Sequence, residues 1–254
     1  MSNETTPHRR PSGPGLIAIA LALTLSACAP LQPTDVPIPA QWHVGDAPSE
    51  TLIVLLPGAG DSPEQFERSG IIELLADSGL AWDAVAVDAH MGYYRERSVV
   101  DRIEADIIAP ARARGYRSIW LSGPSLGGFG SLLYWCRTRD EDIAGIIALA
   151  PFLGDQDILD EVEAAGPLDQ WTPGGAGREH EVAIWRCIQD GFPDELAVWL
   201  AWGRSDRMAP GNRLLARELP EERVINSEGG HLWTVWKPLW ARAFEAIVDD
   251  APGS

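Results

Sequence analysis

The chain has 254 residues, of which 45% are hydrophobic, and its formal net charge at pH 7 is −17. A chain of this length and composition can bury one large core, so we expect one catalytic-sized domain. Nucleic acids and anionic lipid surfaces would repel so acidic a protein, and the charge therefore excludes both as electrostatic partners.

The first 27 residues have the composition of an export signal. Arg9 and Arg10 precede an apolar run at residues 16–25, and small residues follow the run. The run is shorter than the roughly 20 residues that a membrane-spanning helix needs. It therefore favours a cleaved signal peptide at residues 1–27 over a permanent anchor helix.

The end of this signal resembles the lipobox of bacterial lipoproteins. Leu-Ser-Ala precedes Cys28, and the resemblance implies cleavage before Cys28 and attachment of lipid to its sulfur. The alternative is an ordinary signal peptide with an incidental cysteine. Ala29 rather than Asp follows, which by the same resemblance favours the outer membrane of a Gram-negative cell. We expect a protein of the cell envelope that faces the periplasm or exterior and is held to the membrane by its N-terminal lipid alone.

Residues 28–41 are rich in proline and lack periodicity, which predicts an extended tether before a domain at residues 42–254. Within that domain, short apolar runs alternate with amphipathic stretches. This alternation is typical of the α/β fold class, with a mostly parallel central sheet flanked by helices. The predicted strands occupy residues 51–56, 83–88, 118–122, 143–150, 196–202 and 223–226.

Helices are predicted between these strands. A serine, a proline and a glutamine form a capping pattern at the start of residues 62–78, which predicts one helix there. A later helix, over residues 103–111, should be kinked by Pro110. The last helix carries aromatic residues at four-residue spacing, the pattern of a stripe that packs on the core: Trp236, Trp240 and Phe244.

Residues 152–195 interrupt the alternation of apolar and amphipathic stretches. They follow the strand predicted at residues 143–150. The segment is too long for a simple turn, so we expect a small, lid-like insertion over the site. Cys136 and Cys187 are the remaining cysteines. In an oxidising compartment they form either a disulfide or two buried thiols, and both alternatives stay open because the sequence does not give their separation.

The motif that carries chemistry is Gly-Pro-Ser-Leu-Gly, with Ser125 between Gly123 and Gly127. It directly follows a predicted strand and opens a predicted helix. A serine on such a sharp turn adopts strained backbone angles and projects its hydroxyl, and side chains two residues away would collide with neighbouring backbone. The motif predicts a nucleophile, and the alternative is a Gly-Ser turn that only connects two elements.

A serine nucleophile needs a base, and the base needs a third group that fixes its tautomer. His231 lies in a glycine-containing loop after the last predicted strand and is the expected base, with His90 as the competitor. Asp206 follows the preceding strand and is the expected acid. Asp155 is the alternative, because it follows the strand before that one.

The chain order Ser125, Asp206, His231 resembles that of the α/β-hydrolase superfamily, and the resemblance extends from Thr51 to Ala246. It implies a serine hydrolase that cleaves a carboxylic ester through an acyl-Ser125 intermediate. Members that use a carboxylate at this turn form alkyl esters, so the serine argues against dehalogenase and epoxide-hydrolase chemistry.

Acyl transfer also needs two oxyanion donors. One should be the backbone N–H of Leu126 at the start of the helix. The resemblance places the second in the loop after the first predicted strand, at Ala59. Gly58 or Gly60 is the alternative if the loop matches the family's loop with a shift of one residue. Pro57 replaces the usual histidine of this loop, which leaves the detailed shape of the loop open.

Candidates for contact with a small-molecule ester substrate are Gly58, His90, Tyr93 and Trp233. No metal or organic cofactor is expected, since neither zinc-ligand spacing nor a phosphate-binding glycine loop occurs. Alternatives to an esterase are a thioesterase, acyltransferase or peptidase with the same triad, and a non-catalytic binding protein on a hydrolase scaffold. The sequence does not predict the oligomeric state.

Overall fold

A computed structural model describes residues 33–34 and 36–250. The predicted signal peptide, Cys28 and most of the tether lie outside the described residues. Seven strands form one sheet: β1 Ala40–His43, β2 Thr51–Leu55, β3 Asp83–Val87, β4 Ser118–Pro124, β5 Ile143–Leu149, β6 Ala197–Gly203 and β7 Val224–Ser227. Their order is β1-β3-β2-β4-β5-β6-β7, and all neighbours are parallel except β1 and β3.

The mostly parallel sheet confirms the predicted fold class. All six predicted strands are present, with ends that differ by at most two residues. The residues of β2 to β6 are almost entirely buried, and all five residues of β3 are, because helices cover both faces of the sheet. These five strands therefore read as mainly apolar runs rather than as alternating ones.

The first strand was not predicted. β1 pairs antiparallel with β3, and its first two residues, Ala40 and Gln41, belong to the segment expected as a tether. Ile38 is buried just before it, and its N–H donates to the Asp106 carboxylate at 2.9 Å. The folded part therefore begins several residues before the expected boundary at residue 42.

The helices are α1 Glu64–Arg68, α2 Ile71–Asp77, α3 Met91–Arg95, α4 Val99–Ile103, α5 Ala109–Ala113, α6 Leu126–Thr138, α7 Gln156–Ala165, α8 Glu179–Gln189, α9 Ala209–Ala216 and α10 Trp233–Asp250. The helix expected over residues 62–78 is thus two helices. They are separated at Gly70, whose φ of 70° is left-handed. The kink expected at Pro110 takes the form of a π-helical turn, Glu104–Ile108, between α4 and α5.

The aromatic stripe of α10 packs into the core as predicted. Trp236, Trp240 and Phe244 are all buried, and the Trp240 Nε1–H donates to Ser122 Oγ at 2.9 Å. This bond joins α10 to β4, the strand that leads into Ser125. Within residues 33–34 and 36–250, no helix combines the length and the apolar character that crossing a bilayer requires.

The segment between β5 and β6 contains α7, a short 3₁₀ turn at Leu168–Gln170, and α8. A disulfide joins Cys136 on α6 to Cys187 on α8, with Cα atoms 5.6 Å apart. The structure therefore selects the disulfide from the two alternatives that the sequence left open, and it ties this segment to the helix that begins after Ser125.

Candidate active site

Ser125 occupies a strained turn between β4 and α6. Its φ is 54° and its ψ is −112°, a region that residues with a Cβ rarely adopt. Main-chain hydrogen bonds hold it there: its N–H donates to the Leu149 carbonyl at 2.8 Å, and its carbonyl accepts from the Phe152 N–H at 3.2 Å. The neighbouring strand and the segment after it thus fix the turn.

The two positions on either side of Ser125 require glycine for a steric reason. A Cβ at either Gly123 or Gly127 would overlap with the carbonyl oxygen of Leu56, at the end of the β2 segment. Only hydrogen atoms fit at these two positions, as the sequence motif predicts.

Asp206 and His231 form a hydrogen-bonded pair. Asp206 follows β6 and His231 follows β7, and the His231 Nδ1 lies 2.8 Å and 2.9 Å from the two carboxylate oxygens. A carboxylate only accepts, so Nδ1 carries the proton and the lone pair of the neutral ring lies on Nε2. The Asp206 side chain is fully buried, whereas that of His231 is 13% exposed. The pair can accept a proton at Nε2.

Three parallel strands bring the expected triad to one edge of the sheet. Ser125, Asp206 and His231 each follow the carboxyl end of a strand, β4, β6 and β7 respectively. Among the hydrogen bonds of the described residues, none joins Ser125 Oγ to His231. In enzymes without substrate such catalytic bonds are often long, and they tighten only in the complex.

The two expected oxyanion donors are close to the serine. Leu126 is the first residue of α6, where N–H groups have no acceptor within the helix. Ala59 lines the same cavity as Ser125 and Leu126. Gly58 instead shapes the loop, since its carbonyl accepts from the Asp61 N–H at 3.1 Å.

Ser125 opens onto a cavity of about 860 Å³. Part of its wall is apolar and consists of Met91, Tyr94, Leu126, Phe129, Phe152 and Met208. The rest is charged, and its basic groups are Arg95, Arg97, Arg178, Arg207 and His180. The start of α8 and the segment before it supply much of this charged wall.

Asp155, the alternative acid, has a different role. It precedes α7, lines the cavity and forms an ion pair with Arg178 at 2.8 Å. The His231 ring faces Asp206 instead, which favours Asp206 as the acid of a triad.

His180 and Asp61 are among the groups near the site whose pKa values are shifted. Burial lowers the pKa of His180, and the positive charge of Arg137 acts in the same direction. Burial raises the pKa of Asp61, although a hydrogen bond from the Trp233 Nε1–H partly opposes the shift. Both shifts favour the neutral form of the side chain.

The remaining predicted substrate contacts lie elsewhere. His90 Nδ1 accepts from the Gly92 N–H at 3.1 Å and caps α3, and Tyr93 is fully buried with its hydroxyl donating to the Val36 carbonyl. Trp233 contacts Asp61 rather than the cavity wall. Tyr94, one residue later on α3, is the tyrosine that lines the cavity.

Sequence reasoning missed the cavity residues on α8 and after β6. Arg178, Glu179 and His180 come from the expected insertion, whose path over the site has no sequence signal. Arg207 and Met208 directly follow Asp206, and that adjacency is a signal for them. No group of three or more His, Cys, Asp or Glu side chains suited to a metal ion occurs among residues 33–34 and 36–250.

No protein-family model matches the chain, and no curated protein matches it either. Solved structures do. A monoacylglycerol lipase of Paleococcus ferrophilus is 18% identical, with a TM-score of 0.58 over 85% of this chain and 100% of that one. FphF, a fluorophosphonate-binding serine hydrolase of Staphylococcus aureus, is 16% identical, with a TM-score of 0.56 over 85% and 100%.

Est1E of Butyrivibrio proteoclasticus is 16% identical, with a TM-score of 0.58 over 83% of this chain and 93% of that one. These structures share the parallel sheet flanked by helices. The chain has the α/β-hydrolase fold. At such low identity the likeness extends to the fold alone, and the chemistry has to be argued from the side chains.

Proposed function

We propose that the protein is a serine hydrolase that cleaves carboxylic esters through an acyl-Ser125 intermediate. The observation that carries the proposal is the strained turn of Ser125, whose hydroxyl lies at a cavity. The Asp206–His231 pair lies at the same edge of the sheet. Strain at a single non-glycine residue costs about 1–3 kcal/mol and is commonly kept for function.

The groups present support each step of acyl transfer. His231 Nε2 accepts the Ser125 proton as Oγ bonds to the ester carbonyl carbon, and Asp206 stabilises the resulting imidazolium. The N–H groups of Leu126 and Ala59 donate hydrogen bonds to the carbonyl oxygen as it becomes negatively charged. The imidazolium then protonates the departing alkoxide. Water, deprotonated by His231 Nε2, then bonds to the acyl carbon. The bond from that carbon to Ser125 Oγ breaks, which releases the acid, and the imidazolium returns the proton to Oγ.

Covalent labelling tests this proposal. Purified protein is incubated with a fluorophosphonate, and its intact mass is compared with that of the Ser125→Ala variant. We expect one adduct on the wild-type protein and none on the variant, because phosphonylation requires an activated serine. Absence of an adduct on folded wild-type protein would contradict the proposal and favour a non-catalytic binding protein.

Attachment to the membrane through a lipid on Cys28 is also proposed, from the lipobox resemblance alone. The Cys28→Ser variant should then move from the membrane fraction of cells to the soluble fraction. Unchanged membrane association of that variant would contradict lipid attachment at Cys28.

A further inference from the structure

The carboxylates of the cavity wall are already paired with basic groups of the wall. Asp155 lies 2.8 Å from Arg178, and Glu179 lies 2.7 Å from Arg97. Glu181 is buried, lies 3.6 Å from the Arg178 guanidinium and accepts from the Arg178 N–H. Nearby Arg137 also contacts Glu179 at 3.1 Å, which lowers the pKa of that carboxyl group. Each of these three acids therefore already has a basic partner.

Two guanidinium groups of the same wall have no such partner. Within the part of the chain that the structure describes, no carboxylate lies within 4.0 Å of Arg95 or Arg207. Acidic residues outnumber Lys and Arg by 37 to 20, so possible partners are abundant in this chain. The cavity therefore holds more positive charge than its own acids neutralise.

The two arginines come from different elements and face the same cavity as the nucleophile. Arg95 is the last residue of α3, and Arg207 directly follows Asp206. Both are exposed, but the cavity that they line also has six large apolar side chains. Such a cavity suits a molecule with a hydrocarbon or aromatic part and one anionic group.

We propose that the cavity selects esters that carry a free carboxylate, which Arg95 and Arg207 bind while the ester carbonyl lies at Ser125. A planar guanidinium donates two parallel N–H bonds to a carboxylate, and partial exclusion of water strengthens the interaction. The inference rests on the proposed ester hydrolysis. The carboxylate belongs to the acyl part or to the alcohol part of the ester, and both give the same contact with the arginines.

Matched pairs of esters test the inference on the full chain. The first pair is p-nitrophenyl valerate and mono-p-nitrophenyl glutarate, which differ mainly in a terminal acyl carboxylate. The second pair is phenyl valerate and 4-carboxyphenyl valerate, which places the carboxylate on the leaving group. The quantity compared is the ratio of kcat/KM for the charged ester to that for its neutral partner.

We expect the wild-type ratio to exceed one for one of the two pairs, which then identifies the side that binds the arginines. Arg95→Gln and Arg207→Gln should each lower that ratio about tenfold, chiefly through KM, since a charge-assisted hydrogen bond is lost. Arg95→Lys and Arg207→Lys should give intermediate ratios because they keep the charge without the planar fork. The control is Arg213→Gln, at an exposed position of α9 outside the cavity wall, and it should keep the wild-type ratio.

A wild-type preference for the neutral ester in both pairs would overturn the inference. So would an unchanged ratio in the Arg95→Gln/Arg207→Gln double variant whose melting temperature matches that of the wild type. In both cases hydrolysis of the neutral esters by wild type but not by Ser125→Ala leaves the proposed function standing. No hydrolysis of any of the four esters, together with no fluorophosphonate adduct, would overturn both.

Discussion

Loss of the disulfide between Cys136 and Cys187 is expected to destabilise the domain strongly. The bond joins α6, which begins directly after Ser125, to α8, whose first turn lines the cavity. Replacing both cysteines by serine removes a covalent cross-link and restores conformational freedom to the unfolded chain.

The size of the effect follows from the length of the closed loop. The two cysteines are 51 residues apart. In the chain-entropy model, closing a loop of that length lowers the entropy of the unfolded chain by about 14 cal/mol/K, which corresponds to about 4 kcal/mol at 25 °C. A domain is typically stable by only about 5–15 kcal/mol, so the change is a large part of the total.

Urea unfolding of the wild-type protein, with and without dithiothreitol, and of the double serine variant measures this difference. We expect the reduced protein and the variant to unfold at lower urea than the oxidised protein, and dithiothreitol to leave the variant unchanged. Titration of thiols in unfolded, unreduced wild type should detect neither Cys136 nor Cys187. Two additional free thiols, or a difference in unfolding free energy below about 1 kcal/mol, would refute the reasoning.

Three further predictions concern the site. Gly127→Ala should lower the free energy of unfolding in urea by about 2 kcal/mol or more and reduce labelling by fluorophosphonate, because the added Cβ overlaps main-chain atoms. The control is Gly45→Ala, whose Cβ would have its nearest contact at 3.8 Å and which should behave as wild type. Asp206→Asn should lower kcat about 10⁴-fold on p-nitrophenyl valerate, because an amide favours the wrong imidazole tautomer; a fall below about tenfold would contradict this role. Burial raises the pKa of Asp61, so its ionisation destabilises the folded state above that pKa, and Asp61→Asn should be more stable than wild type at pH 7. This difference should shrink as the pH falls through the unfolded-state pKa of about 3.9 and vanish by about pH 2.5, where the carboxyl group is protonated in both states. Urea unfolding at pH 7 and at about pH 2.5 tests it.

Most of the sheet could be predicted because its central strands are buried on both faces. Such strands read as uninterrupted apolar runs, and β3, β4 and β5 are examples. β1 has only partly buried residues and follows a proline-rich segment, so its sequence resembles a tether. Only its pairing with β3 identifies it as a strand.

The site was predictable where local chemistry demands particular residues. Ser125 needs its glycines, and His231 and Asp206 follow strands in an order that resembles the α/β-hydrolases. The tyrosine that faces the cavity depends on the phase of a five-residue helix, α3, and the sequence pattern does not fix that phase. Tyr94 rather than Tyr93 lines the cavity for this reason.

The charged residues on and just before α8 could not be predicted, because their position depends on long-range contacts. α8 reaches the cavity through packing against α6 and through the disulfide, and neither partner is close in sequence. A cysteine pair gives no distance in a sequence, so the alternatives for Cys136 and Cys187 could be separated only by the three-dimensional structure.

The main-chain hydrogen bonds of Ser125 extend along the chain as far as Phe152. Its N–H binds Leu149 of β5, and its carbonyl binds the N–H of Phe152, so the last hydrogen bond that holds the serine lies before α7 begins. The wall beyond that point, including Arg178 and His180, contributes to the cavity without supporting the turn. Residues 155–181 are therefore the part of the wall that can be exchanged without removing a main-chain hydrogen bond of the Ser125 turn.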